Sequence, residues 1–275
     1  MMNLLRNITL IIFFLFNLIL SAQTKSSIKQ IAQIEKEAEF ISTDRLGNLY
    51  IAKENFLWMY NKNGDSLYAF NSKRYGEISS IDCSDPYKIL VFFRNYGIIH
   101  FLDNYLSENG DPIDLQELGF DQITQACLSR ENGFWVFDQM RQRVYHLNDN
   151  FKVTHESVNF MQWFGKRLNP SFMIEYNNQL FVNVPEEGIL VFDHFGTYIK
   201  TIPLKNLKEP QVLDGNINFV ADNQFCQYQR QEMERVCSPI DFNKLTQARI
   251  EKGRLYTFDG KKCTIFKTNE MHLAI

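Results

Sequence analysis

A six-fold recurrence constrains this chain more than any other feature. Apolar runs begin at Leu49, Ile89, Phe134, Leu180, Ile217 and Leu255, each just after a turn, and their starts lie 37 to 46 residues apart. A second apolar run follows each one and ends in an acid, amide or cation. These ends are Tyr60-Asn61, Leu102-Asp103, Leu147-Asn148, Phe192-Asp193, Tyr228-Gln229 and Phe266-Lys267, spaced 36 to 45 residues apart. Two markers that drift together define one repeated supersecondary unit, and a period of about forty residues is that of a four-stranded propeller blade.

Each unit parses alike. Inner strands are expected at 39–42, 78–84, 123–129, 172–176, 210–213 and 247–251. Turns rich in Gly and Asn follow, such as Asp44-Arg45-Leu46-Gly47-Asn48 and Asp214-Gly215-Asn216. Hairpin turns need positive φ, which Gly takes freely and Asn tolerates. The second strand, as in Phe134-Trp135-Val136-Phe137, is apolar at successive positions. An exposed sheet alternates, so continuous apolarity means that both faces are covered by neighbouring blades. The sixth unit ends soon after Phe266-Lys267, while Ile28 to Ile34 has no place in the first unit. That stretch is expected to supply the last blade's outer strand and pair its open edge; its isoleucines also suit a short helix. The expected fold is therefore all-β, a six-bladed β-propeller of four-stranded antiparallel blades in one domain, 23–275.

Residues 1–22 read as a signal peptide. Arg6 precedes thirteen residues from Ile8 to Leu20 that are apolar except for Thr9 and Asn17, and Ser21-Ala22-Gln23 offers a small-residue exit. Thirteen residues are short for a membrane span, although an uncleaved anchor is the alternative. Removing Arg6 takes the formal charge from −3 to −4, with no basic excess for nucleic acid. The implied location is the periplasm or another exported compartment. Of five cysteines, Cys226 and Cys237 face each other if Gln231-Glu232 is a hairpin tip, as a disulfide or as two small buried thiols. Cys83, Cys127 and Cys263 read as core.

Spacing and turn grammar from Ile28 to Thr268 resemble six-bladed propellers of the NHL-type repeat families, and also exported propeller proteins of Gram-negative bacteria. The resemblance implies an architecture and says almost nothing of activity, because propellers host binding modules and enzymes alike.

The loops divide between two faces. Links from strand one to two and from three to four carry many acids and read as solvated hairpin ends. The other face, formed by strand two-to-three loops and by links between blades, combines arginines with aromatic residues, the composition enriched in binding hot spots. Its best candidates for partner binding are Arg74, Tyr75, Arg94, Tyr96, Arg141, Arg143, Trp163 and Phe164. The link from Ser157 to Pro170 holds Met161-Gln162-Trp163-Phe164, where a plain connector would be polar. The aromatic pair either meets a partner or folds back over a blade.

Catalytic signals are weak. The five histidines are scattered, with no close pair on one strand. Glu39, Asp82 and Glu175 are inner-strand carboxylates that could ring a channel as in metal-dependent propeller lactonases. The stretch from Asp103 to Asp111 lacks the ligand order of a calcium loop. There is no nucleophile elbow and no phosphate loop; Cys83 and Cys127 remain as unselected thiols. No cofactor, metal or catalytic residue is expected. The reading is a non-enzymatic binding or scaffold module for another protein or polymer of the cell envelope, with a metal-dependent hydrolase or lyase in the central channel as the rival.

Overall fold

A computed structural model describes residues 28–240, 242 and 244–268 of the chain, so the expected leader lies outside the described residues. Six four-stranded antiparallel sheets form the blades of a propeller. The first has β2 (Phe40–Thr43), β3 (Leu49–Lys53), β4 (Phe56–Tyr60) and β5 (Ser66–Asn71). The second has β6 (Ser80–Asp82), β7 (Ile89–Phe93), β8 (Ile98–Leu102) and β9 (Ile113–Asp114). The third has β10 (Ile123–Leu128), β11 (Phe134–Asp138), β12 (Arg143–Leu147) and β13 (Val153–Glu156), and the fourth has β14 (Phe172–Tyr176), β15 (Gln179–Val184), β16 (Gly188–Asp193) and β17 (Tyr198–Ile202). The fifth has β18 (Gln211–Leu213), β19 (Asn216–Ala221), β20 (Gln224–Gln229) and β21 (Glu234–Cys237). The sixth joins β22 (Gln247–Glu251), β23 (Arg254–Phe258) and β24 (Cys263–Lys267) to β1 (Lys29–Ile34). In that closure Lys29 lies opposite Lys267 and Ile34 opposite Cys263, so the N-terminal stretch is a strand and not a helix.

The apolar runs are buried on both faces because alternate side chains serve different neighbours. Ile89, Val91 and Phe93 pack with Tyr50 and Leu57 of the first blade. Leu90 and Phe92, on the same strand, pack with Phe134 and Val136 of the third. The core is therefore a set of layers between blades. Gly133 marks how closely strands approach at a turn: its φ is +76°, and a Cβ there would lie 1.9 Å from the Leu147 carbonyl oxygen.

The polar residue ending each third strand has a local cause. In blades one to four its side-chain oxygen accepts the amides two and four residues on: Asn61 from Asn63 and Asp65, Asp103 from Tyr105 and Ser107, Asn148 from Asn150 and Lys152, Asp193 from Phe195 and Thr197. These side chains pin the next turn. Gln229 of the fifth blade stands before a different turn, with Met233 at φ +55°, and its β20–β21 hairpin carries a Cys226–Cys237 disulfide between opposed residues. Lys267 needs no such turn, because β1 arrives from the other end of the chain.

Candidate functional site

The eight residues expected to bind a partner fall into two groups, on an inter-blade link, on a 3-10 turn, on the β11–β12 loop, on a short helix and, for Arg143, at the start of β12. At the junction of blades one and two, the Arg74 guanidinium lies 5.2 Å from the Tyr75 ring centre. Tyr75 is half-buried against Phe93 and His100. Arg94 and Tyr96 belong to a 3-10 turn between β7 and β8, both exposed.

The second group is built around a short helix, α1 (Phe160–Phe164). Asn159 caps it by accepting from the Gln162 amide at 2.9 Å, and Gly165 ends it at φ +72°. A five-residue helix has little stability of its own, so its anchorage matters. Phe160 is buried, stacked on Phe192 at 5.4 Å and packed on Phe137. The loop between β11 and β12 ties it down further. The Phe160 amide donates to the Gln142 carbonyl at 2.8 Å, and the Asn159 side chain donates to the Arg141 carbonyl at 2.8 Å. The Gln142 side chain accepts from the Leu168 amide and donates to the Leu168 carbonyl.

On this braced platform the residues part company. Trp163 is 58% exposed, with Met161 at 51% and Met140, on the adjoining loop, at 61%. Phe164 is half-buried, edge-on to Phe160 and Tyr198, and covers the blade. Arg141 bonds to Asp138 at 3.2 Å and to the Gly119 carbonyl at 2.8 Å, over the ring of buried Phe120. Arg143 is held by Glu156 at 3.0 Å and the Ser157 carbonyl at 2.7 Å. Met140 carried no motif in the sequence; loop-to-loop hydrogen bonds place it beside the helix.

The opposite end of the ring holds a cavity of about 380 Å³ at the mouth of the central channel, lined from all six inner strands. The inner edge of each blade would leave backbone groups unpaired, and side chains from neighbouring blades satisfy many of them. Gln247 accepts from the Ile41 amide and donates to the Glu39 carbonyl. Gln211 makes the same double contact with Ile250, and Gln125 donates to the Pro170 carbonyl.

Asp82 accepts from the Ser84 and Leu128 amides at 2.9 and 2.8 Å. Burial nevertheless pushes its carboxyl up, with the Glu175 charge adding to the rise against those hydrogen bonds. Glu175 accepts from the Trp135 indole at 2.7 Å and the Arg130 amide at 3.3 Å. Of the channel carboxylates weighed from sequence, Asp82 and Glu175 therefore share the cavity wall as braces between blades. Glu39 precedes β2 at the other end, exposed. Arg249 is buried, bonded to the Glu209 and Ala248 carbonyls and to the Glu209 carboxylate at 3.3 Å.

Burial raises the thiols of Cys83, Cys127 and Cys263, the last to about 12, so each is a neutral core group and not an activated nucleophile. The histidines hold one surprise: His146 and His155 face each other across β12 and β13 with ring centres 5.6 Å apart. Among the described residues no group of three or more His, Cys, Asp or Glu side chains is gathered as a metal would require. Nor is any described helix long and apolar enough to cross a membrane.

No protein-family model matches the chain, and no curated protein is similar to it in sequence. Solved structures similar in shape are propeller proteins. An inactive virginiamycin B lyase from Staphylococcus aureus, crystallised with quinupristin, has a TM-score of 0.59 at 11% identity, over 88% of this chain and 98% of the lyase. BamB from Moraxella catarrhalis has a TM-score of 0.54 at 9% identity, over 88% of this chain and all of that one (100%). A Bacteroides thetaiotaomicron protein of unknown function reaches 0.60 at 10% identity, over 88% and 72%. Identities this low establish the fold alone.

Proposed function

We propose that this chain is an exported, non-enzymatic propeller that holds another protein of the cell envelope against its loop face. The observation that carries this reading is the platform at Met140, Met161 and Trp163. Three large apolar side chains are exposed, two on α1 and one on the β11–β12 loop, and hydrogen bonds hold these two segments to one another. Exposed apolar side chains on a preorganised frame suit a protein partner: burying them removes apolar surface from water without first ordering the loops. Arg74, Tyr75, Arg94 and Tyr96 extend the surface, and Arg141 and Arg143 frame it. Phe164 and Trp163 both meet the Tyr198 ring, at 5.5 and 6.0 Å between ring centres. The channel carboxylates Asp82 and Glu175 are engaged by amide and indole donors, which favours binding over hydrolysis or lyase chemistry at those two residues. A signal peptide at 1–22 would deliver the protein to the periplasm.

Site-specific photocrosslinking in the native host tests the reading. A benzoyl-phenylalanine at position 163 is expected to trap one discrete protein adduct, and the same probe at Tyr87, exposed on the opposite face, is expected to trap none. Combined Met140→Ser, Met161→Ser and Trp163→Ser changes should remove co-purification of that protein at unchanged melting temperature. Equal trapping at both positions, or none at 163, would overturn the assignment of the face.

A further inference from the structure

We propose that the mouth of the central channel binds a small zwitterion with its charges at opposite ends, a free-ended short peptide, with its carboxylate on Arg130 and its ammonium group at Glu251. The site lies on the face away from Trp163 and does not depend on the envelope-partner reading.

The cavity, about 380 Å³, falls in the range of small-molecule sites. Four cations reach its wall, and three already have an acid. Arg45 pairs with Asp85 at 3.6 Å, Lys88 with Asp149 at 3.5 Å, and Arg249 with Glu209 at 3.3 Å. Arg130 alone is left without a carboxylate among the described residues; its guanidinium donates only to the neutral Asn177 side chain, at 3.2 Å. Its remaining donors form the planar fork that matches a carboxylate with two parallel hydrogen bonds.

The acids sort the same way. Asp85 is held by Arg45, Asp82 by backbone amides, and Glu175 by an amide and an indole. Glu251 enters no ion pair among the described residues. Burial raises its carboxyl, Lys252 opposes that shift, and the charges of Asp214 and Asp44 add to it. An ammonium group placed there would relieve that local excess of negative charge.

Geometry then sets the ligand's form. Arg130 follows the inner strand of the third blade, and Glu251 ends that of the sixth. These blades stand opposite each other in a ring of six. One open cation and one open anion on facing walls select a molecule with opposite charges at its two ends. Phe172, Ile174 and Val212 line the wall between them, against which an apolar side chain could lie.

Calorimetric titration of the purified protein with alanine, dialanine and trialanine, each also N-acetylated and C-amidated, tests the proposal. One free-ended length is expected to bind saturably, and capping either end should weaken it by roughly tenfold or more, the loss of one charge-assisted contact. With Arg130→Gln, acid and amide forms should bind alike; with Glu251→Gln, free and acetylated forms should bind alike. Glu251→Gln keeps side-chain size, Arg130→Gln shortens an exposed side chain, and a melting curve confirms folding of both. Absence of saturable binding by any free-ended probe, capped probes that bind equally well, or variants with unaltered discrimination would each overturn the proposal.

Discussion

The two ends of the ring put similar residues to opposite use. At the turn end, Asp82, Glu175, Gln211 and Arg249 are bound to backbone, to the Trp135 indole or to Glu209, and the polarity of these four is structural. At the loop end, the polar side chains of Gln142 and Asn159 also brace backbone, but what they brace is an apolar group in solvent. The difference teaches that exposure of the unexpected type marks function more reliably than polarity. A buried carboxylate in a propeller channel has a routine job, closing the inner edge of a blade. A tryptophan that stays 58% exposed on a laced helix, beside the Tyr198 ring, adds little to the core.

The contrast is sharpest within α1 itself. Phe160→Ala should cost about 3–5 kcal/mol, because it empties a fully enclosed site against Phe137 and Phe192. Trp163→Ser, three residues on, should change stability by less than about 0.5 kcal/mol. Urea unfolding of both variants decides the matter: comparable losses would mean that Trp163 is core and that the platform reading is wrong.

A smaller effect separates a brace from an open charge at the turn end. Glu175→Ala leaves the Trp135 indole and the Arg130 amide without their acceptor and should cost about 2–4 kcal/mol. If Glu175→Ala instead leaves the unfolding midpoint in place, the carboxylate is not structural, and catalysis in the channel regains ground.

The smallest expected effect is on acid stability. Burial, aided by the neighbouring His155, holds the His146 imidazole below its ordinary value of 6.5, with the Asn132 carbonyl opposing the shift. The folded state thus binds fewer protons than the unfolded chain. The stability this contributes is present above about pH 6.5 and is lost as pH falls through the lower folded value. Midpoints measured at successive pH values should drop on acidification, and His146→Gln should flatten the slope. A slope unchanged by that substitution would place the acid sensitivity elsewhere.

Much of the fold was legible. The inner strands Phe172–Tyr176 and Gln247–Glu251 stand where the turns placed them, β1 closes the sixth blade, and Cys226 lies opposite Cys237. The disulfide itself was one of two open readings. The site was only partly legible. Trp163 announced itself as an apolar residue in a long link, but Met140 looked like an ordinary loop residue, and Phe164 looked identical to its neighbour. The facing of His146 and His155 was hidden because a register shift follows His146. One signal went unused: inner strands from the second blade to the sixth each carry a polar side chain, namely Asp82, Gln125, Glu175, Gln211 and Gln247, and each proved to be a brace.

Residue order alone determined the repeat, the turns and the closing strand, because these depend on contacts between neighbours in sequence and on burial patterns of short period. Tertiary structure decided which charges are satisfied and which remain open. Gln247 meets Ile41 across 206 residues, and the blades of Arg130 and Glu251 stand opposite each other only once the ring has closed. The reason is physical: a charged side chain looks the same in sequence whether or not its counter-ion arrives, and only the closed ring brings that counter-ion within reach.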